Sequence, residues 1–294
     1  SILHLIILSM NIKTLLIRSA SGLVYITLII GAILLGGIYF KIIFGLLAIL
    51  TVYEFHTLTN KQENINALPI LGAICAAVAF AVVSYYKQPS WLYIGVFLMC
   101  FILMCLIICA VIEMFRKTPN PINNVAYTIF GQIYIVLPFS LMAYILSYNK
   151  KLLLAVFVII WINDTFAYLT GSLIGKHKLS PKISPNKSWE GLIGGLVGTW
   201  GAALLIYWLE AYAKNSYIPF TATQWLALGT AIMIFGTLGD LFESLIKRTV
   251  GVKDSGNIMP GHGGLLDRLD SVLFATLPAA VLIAIFRFVN NELI

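Results

Sequence analysis

Charge is scarce in this chain, and the scarcity decides its class. Only 11% of the 294 residues are charged, 60% are hydrophobic, and the mean hydropathy is +0.94. Such a composition excludes an ordinary soluble domain, whose surface needs far more polar residues. Ten-residue segments of alternating polarity are missing too, which argues against an outer-membrane barrel. Cysteine is sparse: Cys75, Cys100, Cys105 and Cys109 all sit in apolar runs, so neither a CxxC metal pair nor a disulfide framework follows. No phosphate-binding Walker A run occurs, because the segment from Gly171 to His177 has the wrong spacing and lacks the final Ser or Thr. Acids are almost absent early on. Residues 20 to 150 hold only Glu54, Glu63 and Glu113, and every aspartate lies beyond residue 163.

What is present is a series of apolar runs of roughly twenty residues, each long enough to cross about 30 Å of hydrocarbon. They fall at about 20–37, 39–57, 67–86, 90–112, 125–146, 151–174, 190–210, 223–246 and 268–289. The expected fold is therefore all-α and polytopic, with about nine transmembrane helices. If residue 18 lies in the cytosol, thirteen Lys and Arg residues fall on that side and six on the other. The positive-inside rule then places the N-terminus inside, the C-terminus outside, and the charged loops near 175–189 and 247–268 in the cytosol. Lys176 and Lys178 are equally open to a role in topology alone. Residues 1–9 lack an initiating methionine, and with no basic flank or cleavage site they read as an extension ahead of Met10.

The polar content splits the chain in two. Residues 1–150 read as a membrane scaffold with lipid-facing or dimer-forming helices, and 151–294 as the catalytic membrane domain. Ionisable residues at membrane depth are expensive, so those in the second part invite a functional reading. Asp164 and Tyr168 stand at i and i+4, with Gly171 and Gly175 continuing roughly along the same face. Asp164 is open to a second reading as an acceptor for a neighbouring helix. In LSPKISPNKSWEG, Ser188 or Asn186 can cap the next helix while Glu190 favours its positive end. With Lys182 and Lys187 just ahead, that helix start is suited to an anion.

The densest strip is DLFESLIKRTVGVKDSGNIMPGHGGLLDRLDS, residues 240–271. Asp240, Glu243, Ser244 and Lys247 recur at helical spacing, and so do Asp267, Asp270 and Ser271 on the following helix. Two carboxylate faces meeting across a helix pair would suit a hard cation such as Mg²⁺, with phosphates and water completing its shell. Between them, the segment from Lys253 to Gly264 carries four glycines and one proline, a backbone able to approach phosphate closely. His262 in its midst is open to either phosphate contact or structural hydrogen bonding.

From Ser244 to Asp270 the pattern S-x-x-K-R-x4-K-D-x-G-x4-G-H-G-G-x-x-D-R-x-D resembles the signature of the phosphatidate cytidylyltransferases. The run D-x-x-A-Y-x-x-G from Asp164 and the run S-P-x-K-S-x-E-G from Ser184 are similar to that family's other motifs. Met259 departs conservatively from the family's usual Leu or Ile. The resemblance spans most of the chain from about Met10, with the strong motifs confined to 161–271. It implies transfer of CMP from CTP to phosphatidic acid, giving CDP-diacylglycerol and pyrophosphate in phospholipid biosynthesis.

Residue by residue, the resemblance implies a metal centre at Asp240, Asp267 and Asp270, holding Mg²⁺ and leaving room for a second cation such as K⁺. Asp240, Asp267, Lys253 and Arg268 are the expected catalytic residues. Lys187, Lys247, Arg248, Lys253 and Arg268 would take the phosphates of CTP and lipid. Ser184, Asp254, Gly263 and Gly264 would shape the pocket, with His262 beside them, and Asp164, Tyr168 and Glu190 are secondary candidates. The expected setting is a bacterial-type inner membrane, with a site facing the cytosol, a homodimer by resemblance, and no nucleic-acid partner.

Three rival readings make different predictions. A CDP-alcohol phosphotransferase would need a D-G-x-x-A-R run that is absent. A CTP-dependent polyprenol kinase would yield a phosphorylated alcohol. An ion-coupled transporter would carry flux without CTP and would have no use for a basic, glycine-rich loop.

Overall fold

A computed structural model gives the fold. It describes residues 2–85, 90–212, 218–261 and 263–290, with side chains from residue 17 onward. Ten α-helices follow one another: α1 Ile2–Leu35, α2 Gly37–Thr59, α3 Pro69–Tyr85, α4 Trp91–Phe115, α5 Pro121–Gly131, α6 Leu137–Tyr148, α7 Lys150–Ile174, α8 Trp189–Tyr212, α9 Ala222–Val250 and α10 Leu266–Val289. A short antiparallel hairpin, β1 Lys178–Ser180 and β2 Ser184–Ser188, precedes α8. Sequence reading gives this stretch only as a loop. Its two prolines lack an N–H to donate, which suits a minimal two-stranded ribbon.

Seven helical segments among the described residues are long and apolar enough to cross a membrane: α2, α4, α5 continuing into α6, α7, α8, α9 and α10. Two shorter apolar helices, Ser19–Leu35 and Pro69–Tyr85, occupy the remaining expected runs. The protein is thus all-α and polytopic, with a helix in each of the expected apolar runs. The expected run at 125–146 lies in one continuous segment, Pro121–Tyr148, that contains a wide π-turn at Gln132–Val136. Pro138 follows two residues later, and a proline inside a helix removes one ladder hydrogen bond, which favours such a local adjustment.

Helix ends carry their own signals. Asn149 caps α7, Thr221 and Gln224 form a reciprocal capping box on α9, and Gly251 ends α9 in the left-handed region at φ 77°. Packing is closest where side chains are smallest. Gly191, Gly194, Gly195 and Gly198 line one face of α8, against Ala167, Thr170, Asn163 and Phe166 of α7. A Cβ at Gly195 would come within 2.5 Å of Asn163 Oδ1, and one at Gly198 within 2.5 Å of Phe166 Cγ. Between membrane helices, where the hydrophobic effect gives little drive, such close backbone approach supplies the attraction.

The same device joins α9 to α10. A Cβ at Gly239 would stand 2.5 Å from the Asp270 carbonyl oxygen and 2.7 Å from Phe274 Cβ. Beside that contact an aromatic cluster of Phe130, Tyr134, Phe242 and Phe274, with centroids 5.2 to 5.9 Å apart, ties α9 and α10 to the π-turn. The polar ends of α9 and α10 are thus held on a rigid apolar base.

Candidate functional site

Two charged clusters converge around α9 and α10. The first begins at the hairpin, which pairs Lys178 with Ser188 and Ser180 with Ser184. Ser188 Oγ then accepts the Gly191 N–H at 3.1 Å, the expected cap at the start of α8. Lys187, just before it, turns inward with Nζ 2.7 Å from Asp240 Oδ2 and 3.4 Å from the Thr237 carbonyl. Because Gly239 lets α10 approach, Asp270 lies within electrostatic reach of Asp240, Asp164 and Lys187. Asp164 likewise feels Asp240 and Lys187 and accepts from Asn163 Nδ2 at 3.2 Å.

Asp164 is exposed although it sits ten residues before the end of α7, about 15 Å along the helix axis. A carboxylate there is tolerable only if it faces a polar cavity, since hydrocarbon would strongly disfavour its charge. Asp240, with 36% of its side chain exposed, lies within electrostatic reach of Asp164.

The second cluster is more buried. Lys247 Nζ lies 2.5 Å from Glu243 Oε2 and 2.6 Å from Asp267 Oδ1, with Glu243 almost wholly enclosed. The spacing of Glu243 and Lys247 at i and i+4 makes the first contact, and the start of α10 brings the second. The other oxygen of Asp267 accepts three hydrogen bonds, from Ser255 N at 2.9 Å, Ser255 Oγ at 2.9 Å and Gly264 N at 2.8 Å. Asp267 thereby ties the glycine-rich loop to α10 and Lys247.

Glu54, on α2, is the residue that sequence reading passes over as scaffold. It is buried, and its carboxylate accepts from Ser255 Oγ, Leu265 N and Leu266 N at 2.5, 3.0 and 3.0 Å. One signal pointed to it: a lone acid in an apolar helix needs partners. Ser255, buried between the two carboxylates, carries no such signal.

Other expected site residues are placed as follows. Arg248, Lys253 and Asp254 are exposed, flanking the loop. Arg268 is exposed, and its carbonyl accepts from Tyr25 Oη at 3.2 Å. Gly263 adopts φ 84°, where a Cβ would also press on Asp267 Oδ2, and its carbonyl accepts from Met259 N at 2.9 Å. Ser184 is half-buried in the hairpin, and Tyr168 is 74% exposed. Glu190 holds His177, taking its backbone N–H at 3.2 Å and meeting Nδ1 at 2.6 Å, so it braces the chain leading into the hairpin. His262 lies outside the described residues.

The donors can be tested against a metal. Among the described residues, no three His, Cys, Asp or Glu side chains form a preformed metal cage. Yet among the described residues Asp164, Asp240, Glu243, Asp267 and Asp270 are five carboxyl groups gathered about the two ammonium groups of Lys187 and Lys247. Oxygen donors with surplus negative charge fit a hard cation. Asp240 and Asp270 fit best; Asp267 could turn an oxygen to a cation only by exchanging Lys247 from Oδ1.

Fold and site together define a multi-pass membrane protein that gathers lysines and carboxylates where α9 and α10 meet. The chain belongs to the cytidylyltransferase family, whose pattern matches residues 16–286. It is 32% identical over 260 residues to the phosphatidate cytidylyltransferase of Staphylococcus aureus strain COL, covering 88% of this chain and 95% of that protein. The phosphatidate cytidylyltransferase of Rickettsia bellii is 32% identical over 220 residues, 74% of this chain and 90% of the relative. That of Staphylococcus epidermidis strain RP62A is 31% identical over 264 residues, with 88% and 95% covered.

Proposed function

We propose that the protein transfers the cytidylyl group of CTP to phosphatidic acid, forming CDP-diacylglycerol and releasing pyrophosphate. The observation that carries this reading is the convergence of Lys187 on Asp240 and of Lys247 on Asp267 beside Asp270, in a chain of this family. A phosphate oxygen of the lipid forms the new bond to the α-phosphorus of CTP. The bond from that phosphorus to the bridging oxygen of the β-phosphate breaks, and the pair of electrons leaves with pyrophosphate. No protein nucleophile is required, so positioning and charge compensation are the protein's task.

Lys187 and Lys247 begin as counter-ions of carboxylates, which holds each ammonium in place before any phosphate arrives. Arg248, Lys253 and Arg268, around the loop, bind the polyphosphate. Asp254, Gly263, Gly264 and Ser184 shape the pocket together with His262. Asp240 and Asp270 would be the leading residues to hold Mg²⁺, with Asp267 beside them, and a second cation such as K⁺ would complete the charge balance. A metal held there would offset phosphate repulsion and stabilise charge on the leaving group. Asp164 and Tyr168 serve hydroxyl or headgroup contacts, and Glu190 acts through the hairpin.

The wider setting belongs to the same reading. Nine crossings, with Ser19–Leu35 and Pro69–Tyr85 included, would put both charged loops on the cytosolic side, as thirteen basic residues against six favour. Seventeen helical residues span about 25 Å, slightly short of the hydrocarbon core but within what local thinning accommodates. A bacterial-type inner membrane suits that topology. Residues 1–150 serve chiefly as scaffold, with Glu54 as an exception, and 151–294 carry the chemistry. The exposed apolar face of α4, including Met99, Leu103 and Ile107, offers a surface for a homodimer. Purified protein given α-labelled CTP, phosphatidic acid and Mg²⁺ should yield labelled CDP-diacylglycerol. A phosphorylated polyprenol in its place, or label transfer to water alone, would refute the assignment.

A further inference from the structure

The glycine-rich loop is fastened from the other half of the chain. Glu54 Oε1 accepts from Ser255 Oγ at 2.5 Å and from Leu266 N at 3.0 Å, while Oε2 accepts from Leu265 N at 3.0 Å. Leu265 and Leu266 open α10, and a helix start leaves its first N–H groups without partners in its own ladder. The residue preceding α10 gives no side-chain cap. Glu54 supplies one from α2, and its negative charge suits the positive end of the helix. The anion site that a helix start ordinarily offers is, on α10, already filled by this carboxylate.

The loop's glycines bear on the same residue. A Cβ at Gly256 would stand 2.8 Å from Glu54 Oε2, and one at Gly264 would overlap Oε1. These two positions are therefore small because Glu54 is there, apart from any need to approach phosphate. Ser255 Oγ also lies 2.9 Å from Asp267 Oδ2. A hydroxyl has one proton to donate, so Glu54 and Asp267 share it. Asp267 in turn holds Lys247 at 2.6 Å.

We propose that Glu54 is a positioning residue for the reaction, setting Lys247 and the glycine-rich loop for CTP through Ser255, Asp267 and the start of α10. The proposal rests on the reading that this loop and Lys247 contact the nucleotide's phosphates. Its test uses the full-length protein in lipid nanodiscs, with Glu54→Gln compared to the parent by hydrogen exchange and by steady-state kinetics. Gln keeps the size but turns an N–H group toward donors, so at least one hydrogen bond to a charged acceptor is lost. Amide exchange should quicken in 252–266 and stay unchanged in the remaining helices. The KM for CTP should rise about tenfold, the loss expected for such a bond, while the KM for phosphatidic acid stays within about twofold.

Unchanged exchange in 252–266 would overturn the fastening itself. Faster exchange with an unaltered KM for CTP would overturn the proposal through the loop's assignment and leave the fastening standing. If Glu54→Gln does not fold, Ser255→Ala carries the same two readouts without changing charge. A rise of about threefold in the KM for CTP is expected there, and none would contradict the chain of contacts.

Discussion

Lys187 reaches out of a short hairpin to place its ammonium 2.7 Å from Asp240, a carboxylate well inside α9. Two segments that the sequence separates are thereby joined through both signs of charge. The lysine is held in place by the aspartate, and its ammonium offsets the aspartate's charge.

Lys187→Met should therefore act on catalysis more than on stability. Both partners are partly exposed, with 23% and 36% of their side chains open, so the pair adds little to folding. A fall in kcat/KM of about a hundredfold, with thermal stability shifted by less than about 1 kcal/mol, is the expected result. Steady-state kinetics alongside thermal unfolding in detergent checks it.

Lys247 should behave differently. It is the charge partner of Glu243 and Asp267, whose side chains are only 1% and 8% exposed. Lys247→Met leaves two buried carboxylates facing one another and should cost about 3–5 kcal/mol of stability. The double variant Lys247→Met with Glu243→Gln should recover part of that stability and none of the activity. Thermal unfolding and turnover, measured on the same preparations, separate the two effects.

The glycine face of α8 makes a prediction about assembly. Gly195→Val would drive a branched side chain into Asn163 Oδ1, which stands 2.5 Å from where a Cβ would lie. Overpacking of this kind costs about 1–3 kcal/mol, and separating α7 from α8 would move Asp164 away from Lys187. The folded yield by size-exclusion chromatography should fall, while Gly201→Ala, where a Cβ meets nothing within 4 Å, should leave it unchanged.

Much of this was legible in the sequence, and the rest was hidden for physical reasons. Apolar runs gave the helices, since hydrophobicity over roughly twenty residues is a local property. Helical spacing put Glu243 with Lys247 and set Asp267 beside Asp270. A cap for α8 at Ser188 or Asn186 followed from residue type and position, and the structure selects Ser188. Glu54 did not follow, because its partners lie more than two hundred residues away and nothing in α2 encodes them. The saturation of Asp267 was equally hidden: three of its hydrogen bonds come from Ser255 and Gly264 in the loop, and Ser255 also bonds Glu54. Glu190 stands in the first turn of α8 as its position suggests, and it also anchors His177, a contact made only once the hairpin folds back.

Metal dependence should be absolute for turnover and absent for the fold. Chelation with EDTA should abolish product formation and restored Mg²⁺ should recover it, with helical content by circular dichroism unchanged, because the charge pairs of Lys187 and Lys247 hold without the ion. Loss of helical structure on chelation would make the cation a folding element.

Binding of Mn²⁺, followed by electron paramagnetic resonance in the presence of CTP, tests the central assignment most directly. The parent protein should hold Mn²⁺ in a site that Mg²⁺ displaces, and Asp240→Asn combined with Asp270→Asn should weaken that binding by about a hundredfold or more, with the fold intact. Undiminished Mn²⁺ binding by the double variant would contradict the placing of the cation between α9 and α10.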